Sequence, residues 1–221
     1  MVRRMVILVT GLVSVLCAAT PAPAQVKVAA RTVRFGPIAG VNVFTLGGSD
    51  ATGAKSRTTF FAGGALTIPI GASAFFEPEV LYAGKGATMS AFDSTVGTVT
   101  AEFKLAYVEI PLLLGLEMGT KGGVRPRLFA GPAVGLKASC NIGATAAGMS
   151  FSFSCQDFGV SIKSVDFGVT GGAGLMFPLG RGGILLQGRY TLGLTKIMEG
   201  SDTKNQGFSI GASFMIPIGG R

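Results

Sequence analysis

The sequence predicts an all-β fold, an eight-stranded antiparallel up-and-down transmembrane β-barrel preceded by a cleaved signal peptide. Three observations predict it. First, the 221 residues are 48% hydrophobic and only 14% charged, where soluble domains carry roughly 25% charge. Yet after the N-terminus no uninterrupted apolar run approaches the roughly 20 residues of a membrane helix. Lipid tolerates only helices and closed barrels, because every backbone polar group must be satisfied internally. Second, the chain breaks into stretches of period-2 alternation, apolar on one parity and small or polar on the other. Third, the connections alternate long and short, as they do when short periplasmic turns face longer external loops.

The N-terminus reads as a secretory signal. Arg3 and Arg4 form its basic region, Met5 to Ala19 its apolar core and Ala22-Pro23-Ala24 a small-residue cleavage site, so residues 1–24 leave and the barrel domain is 25–221. Cys17 leaves with it, and Leu16 before it does not suit a lipoprotein signal. Loss of Arg3 and Arg4 takes the formal charge from +8 to +6. Export makes nucleic acid an unsuitable partner for that basic surface. The expected partners are outer-membrane lipid and lipopolysaccharide, with the barrel assembly machinery during biogenesis, and the protein is expected to be a monomer.

Eight strands are expected at about 33–44, 57–70, 73–87, 100–117, 125–139, 162–178, 182–196 and 206–219. In the third, Phe76, Pro78, Val80 and Tyr82 share one parity and Glu77, Glu79 and Lys85 the other. The fourth is less regular. Phe103, Leu105 and Tyr107 set one parity, whereas Ile110, Leu112, Leu114 and Leu116 set the other. Either a bulge beside Pro111 re-aims the strand, or Glu102 and Lys104 lie above the membrane, where parity relaxes. In the fifth, Leu128, Ala130, Pro132, Val134 and Leu136 oppose Arg127, Gly131, Gly135 and Lys137. The sixth sets Val165, Phe167, Val169, Leu175 and Phe177 against Asp166, Gly168 and Thr170. The seventh sets Leu186, Tyr190, Leu192 and Leu194 against Gln187, Arg189 and Thr191, and the eighth alternates Phe208, Ile210, Phe214 and Ile216 with Ser209, Gly211 and Ser213.

Arg189 requires company that lipid does not offer, so the apolar parity is read as facing lipid and the polar parity as facing the lumen. The expected lumen network is Glu77, Glu79, Glu109, Arg127, Asp166, Gln187 and Arg189, paired and structural. The three tyrosines, Tyr82, Tyr107 and Tyr190, are expected to form an outward aromatic girdle. Proline removes a ladder donor, so Pro37, Pro78, Pro111 and Pro132 are expected at bulges or strand ends. Cys140 and Cys155 form an exported pair in one Gly/Ser-rich stretch and are expected to close a disulfide across the long loop 140–161.

The sequence has no His, which removes Ser-His, Cys-His and His-assisted acid–base mechanisms. Glu77 and Glu79 lie on one face, and such a carboxylate pair is a conceivable hydrolytic device; ion pairing is the better reading. No metal, cofactor or catalytic residue is expected, and the protein is read as a non-enzyme.

Three segments carry a resemblance: Tyr107-Val108-Glu109-Ile110-Pro111-Leu112-Leu113-Leu114, Ala130-Gly131-Pro132-Ala133-Val134-Gly135 and Gly188-Arg189-Tyr190-Thr191-Leu192-Gly193-Leu194-Thr195. In order and spacing they resemble the eight-stranded outer membrane β-barrel domain of Bacteroidetes and relatives, the group that includes PorT-like proteins. The resemblance implies the fold and the outer membrane of a diderm bacterium, and little chemistry. The chain departs from many outer-membrane barrels by running past Phe214 to Ile218-Gly219-Gly220-Arg221 rather than ending on an aromatic residue. The expected function is a small barrel with a filled polar lumen, whose external loops carry recognition or a membrane-structural role. Three alternatives are a narrow solute or ion channel, an accessory to protein secretion by PorT-like analogy, and a soluble lipocalin-like carrier with its apolar parity inside.

Overall fold

The structure, a computed structural model, describes residues 32–94, 97–119, 123–146, 149–198 and 200–218. The signal segment 1–24 lies outside these residues. Among the described residues nine strands follow in order: β1 (Val33–Gly47), β2 (Lys55–Pro69), β3 (Ala74–Asp93), β4 (Gly97–Glu117), β5 (Arg125–Ala146), β6 (Met149–Ser154), β7 (Val165–Leu179), β8 (Gly182–Gly193) and β9 (Lys204–Ile218). A 3₁₀ turn, Cys155–Phe158, follows β6. Each strand pairs antiparallel with its neighbour, and β1 pairs with β9, so β1-β2-β3-β4-β5-β7-β8-β9 closes an eight-stranded ring. Closure removes sheet edges from the membrane.

The ninth strand is an external addition. One edge of β5 pairs with β4 throughout. Its other edge pairs with β7 up to Leu136↔Val165 and then with β6 from Asn141↔Ser154 to Ala146↔Met149. Much of the expected loop 140–161 is therefore a hairpin. β3, β4 and β5 run 20, 21 and 22 residues, about twice the 9–11 residues that cross a bilayer. With β6 they raise a four-stranded sheet above one wall of the barrel.

Parity sorts the side chains. Val80, Leu114, Leu128, Phe167, Leu186, Phe208 and Ile210 project outward and are exposed. The apolar parity is thus the outer surface, and the soluble-carrier arrangement does not apply. The inner parity holds Glu77, Glu79, Arg127 and Arg189, all buried, but also Phe61, Phe75, Leu81, Leu113, Met176 and Leu185. The lumen expected to be polar is in fact layered, charged pairs alternating with apolar clusters.

Tyr107 corrects the expected girdle. Tyr82 and Tyr190 are outward, 46% and 37% exposed, whereas Tyr107 is 0% exposed and packs inside with Leu46, Leu105 and Ile162. β4 keeps one parity from Leu105 to Leu113. The irregularity lies in the partner strand: Ala106 pairs with Ser139 and Tyr107 with Lys137, leaving Ala138 as the extra residue of a β5 bulge. The apolar side chains of upper β4 face inward because the upper lumen is itself lined with apolar groups.

The prolines are accommodated differently from the expectation. At Pro37, Pro78, Pro111 and Pro132 the ladder omits two successive pairs on one side and resumes in the same register. No bulge absorbs them. At two sites a preceding glycine explains the tolerance. A Cβ on Gly36 would fall 1.9 Å from the Phe214 carbonyl oxygen, and one on Gly131 would fall 2.0 Å from that of Leu112. Phe214 and Leu112 stand in register with Pro37 and Pro132. The carbonyl that meets a proline instead of an N–H rests against the bare Cα of the residue before it.

Candidate functional site

The interior is built in tiers, rising from the end that carries Val33 and Ile218. At its base Glu117 accepts from Arg34 at 2.6 Å and Arg125 at 3.4 Å, with the Arg127 Nε at 3.5 Å. Arg34, Glu117 and Arg125 border a vestibule of about 210 Å³. Above it Arg127 Nη2 donates to Glu77 Oε2 at 2.7 Å, and the Thr67 hydroxyl donates to the same oxygen. The Arg127 guanidinium stacks over the Phe75 ring at 3.9 Å. Alternation along β3 places Glu79 next, and Arg189 of β8 grips it with two bonds of 2.5 and 3.0 Å. Phe61 and Phe129 flank that guanidinium at 5.6 and 5.8 Å.

The third tier centres on Lys85. Its Nζ lies 2.5 Å from Glu109 and 3.5 Å from Asp166, between the rings of Phe44 and Tyr107. Asp166 also accepts from Asn205 at 2.9 Å and Thr195 at 3.1 Å. Leu46, Ala51, Ala87, Leu105, Ile162 and Ile197 pack with Tyr107 above it.

Every residue expected in the lumen network lies on the inner wall, in separate small clusters rather than one continuous network: Arg127 with Glu77 and Glu117, Arg189 with Glu79, and Lys85 with Glu109 and Asp166. Glu77 and Glu79 each have their own arginine, so they present no open carboxylate pair. The Gln187 amide is buried and makes no hydrogen bond among the described residues. Sequence reasoning placed Lys85 on the inner parity but outside the network. It omitted Asn205 because the last strand was expected to start at 206; the polar parity of β9, extended by one residue, would have found it.

Above the third tier, Cys140 and Cys155 are joined, with Cα atoms 5.5 Å apart and a separation of 15 positions in sequence. The bond ties the foot of the β5–β6 hairpin to the turn that follows. On β6, Met149, Phe151 and Phe153 alternate with Ser150, Ser152 and Ser154, and the three apolar side chains are exposed. Across the mouth, Asp50 accepts from the Asp202 backbone N–H at 2.7 Å, linking the first and last external loops. That backbone bond holds the Asp50 carboxyl below its ordinary value of 3.8.

Comparison with known proteins bears on the fold. A family model described as outer membrane protein beta-barrel domain matches residues 23–199. No curated protein matches this sequence. Among solved structures, Neisserial surface protein A is 14% identical with a TM-score of 0.46, covering 81% of this chain and 95% of that one. Ail, the attachment invasion locus protein of Yersinia pestis, is 15% identical with a TM-score of 0.40, covering 84% and 99%. The outer membrane enzyme PagL is 15% identical with a TM-score of 0.42, covering 82% and 99%.

Proposed function

The chain belongs to the outer membrane protein β-barrel domain family, and from that premise we propose a small, non-enzymatic, non-conducting barrel that acts through its external strands. It is exported by residues 1–24, inserted by the barrel assembly machinery and stands as a monomer among outer-membrane lipids.

The observation that carries the reading is the filled lumen. An eight-stranded barrel has an interior just wide enough for side chains. The mid-barrel space between Glu109, Thr170 and Arg189 is about 10 Å³, room for about one water. Charged pairs and aromatic rings occupy successive levels above and below it. The acids and bases of the interior are spent on one another, which supports a structural rather than a catalytic role.

Recognition is assigned to the β5–β6 hairpin. It stands above the outward apolar band, its disulfide fixes its foot, and its strand carries no charge. Exposed apolar side chains on a rigid external strand fit contact with another surface better than contact with water.

The test is single-channel conductance of the barrel refolded into a planar bilayer. Insertion without discrete current steps is the expected result. Reproducible steps, with ion selectivity altered by Arg189→Glu, would replace this reading with a narrow channel.

A further inference from the structure

The outer wall has a hollow where the apolar band stops. Across four adjoining strands the outward apolar band reaches Phe60, Tyr82, Val108 and Leu136, all exposed, and the next exposed large apolar side chain on these strands, Phe92, lies ten residues farther up β3. Phe60 and Tyr82 are in ring contact, with centroids 6.3 Å apart. Directly above, Gly84 and Ala106 supply almost no side chain, and a space of about 270 Å³ opens, bordered by Arg57, Thr58, Lys104, Ser139 and Asn141.

Both cations are positioned. Arg57 Nη1 donates to the Lys85 carbonyl at 3.1 Å, which commits one of the five guanidinium donors. Lys104 extends across Gly143, where a Cβ would stand 2.9 Å from its Nζ. Its counter-ion is Glu102 at 3.3 Å, with side chains 39% and 40% exposed. An exposed pair of that kind contributes little and yields readily to a better partner. Two cations and neutral hydroxyl and amide groups therefore meet just above a greasy wall edged by aromatics. In a bilayer this height belongs to headgroups.

We propose that this hollow seats the phosphate-bearing headgroup of an outer-leaflet lipid, with Arg57 and Lys104 on the phosphate and Phe60 and Tyr82 against the upper acyl chain. Charge complementarity selects the occupant: phosphate accepts charge-assisted hydrogen bonds from both cations, and the apolar floor excludes a fully hydrated anion. The proposal rests on outer-membrane placement and is independent of whether the lumen conducts or the hairpin binds a partner.

The test compares the full barrel in phosphatidylcholine vesicles alone, with bisphosphorylated lipid A, with phosphate-free lipid A, and with inorganic phosphate added to the buffer. Its thermal midpoint is followed by heat-modifiable gel mobility. Only the phosphorylated lipid is expected to raise the midpoint, and in R57Q/K104Q about tenfold more of it should be required for the same rise. K163Q/K196Q should behave as the unsubstituted protein does. The single variant K104Q, at an exposed side chain, should show an intermediate requirement and supplies the reading if the double variant folds poorly. An unchanged lipid dependence in K104Q and R57Q/K104Q, an equal rise with phosphate-free lipid A, or the same rise from inorganic phosphate would overturn the proposal.

Discussion

Arg189 shows how a single residue is committed inside this barrel. Its guanidinium is held bidentately by Glu79 and enclosed by Phe61 and Phe129, so either partner left alone is a buried, uncompensated charge. Arg189→Leu should therefore cost roughly 3–5 kcal/mol, read as a lower urea midpoint in lipid vesicles. Glu79→Leu combined with Arg189→Leu should recover most of that loss; an additive loss would show that the pair is not the relevant unit. Asp50 presents the opposite, exposed case. Its folded value is depressed by the Asp202 N–H, so the stabilising contact is complete above the ordinary value of 3.8. It is lost as pH falls through the lower, folded value. Acid titration should shift the Asp202 amide resonance over that low range, and Asp50→Asn should remove the titration.

At the level of elements, the prolines and the disulfide make separate demands. Where Gly131 precedes Pro132, the Leu112 carbonyl occupies the place of a side chain. Gly131→Ala must push β4 and β5 apart at a site already lacking ladder pairs. A loss of about 1–3 kcal/mol is expected from such overpacking, with slower formation of the heat-resistant band. Gly135→Ala is the comparison, because its Cβ would meet the Tyr107 ring at 3.2 Å rather than backbone. The disulfide acts elsewhere. Cys140→Ser with Cys155→Ser should loosen the β5–β6 hairpin by about 3 kcal/mol in the chain-entropy model for a 15-residue loop. Protease should then cut within 149–164 while the ring remains heat-modifiable. Collapse of the whole barrel would show that the hairpin is not a separable element.

The whole molecule is asymmetric. Short turns lie at one end with Val33 and Ile218, and one wall, β3 to β6, rises at the other. Outer-membrane barrels place short turns in the periplasm. In intact cells, Thr52→Cys should therefore react with a membrane-impermeant thiol reagent and Ala72→Cys should react only after lysis. The reverse pattern would invert the topology. The same asymmetry separates the two proposals: the lipid seat lies at the foot of the raised wall, and the recognition strand lies along its far edge.

Much of this was legible in the sequence, because a barrel strand has a period of two and lipid enforces one sign of it. Leu186, Tyr190 and Leu192 declared the outer face of β8, and Gln187 and Arg189 the inner one, before any pairing was known. Alternating connection lengths also pointed to an up-and-down ring, although most of the long link expected between the third and fourth strands is itself strand, to Asp93 and again from Gly97. Tyr107 shares the inner parity of Glu109 but departs from the expected girdle, because a local pattern cannot reveal that the upper lumen is apolar. The continuation of loop 140–161 as β6 was hidden likewise, since an edge of β5 becomes available only where β7 has ended. Sequence by itself determined which parity of most strands faces lipid, through a solvent constraint that acts on each residue separately. Only the tertiary structure decided which acid meets which base, where a proline's orphaned carbonyl rests and where cations gather above the apolar wall. Those outcomes depend on register and proximity between strands far apart in the chain, 110 residues for Glu79 and Arg189.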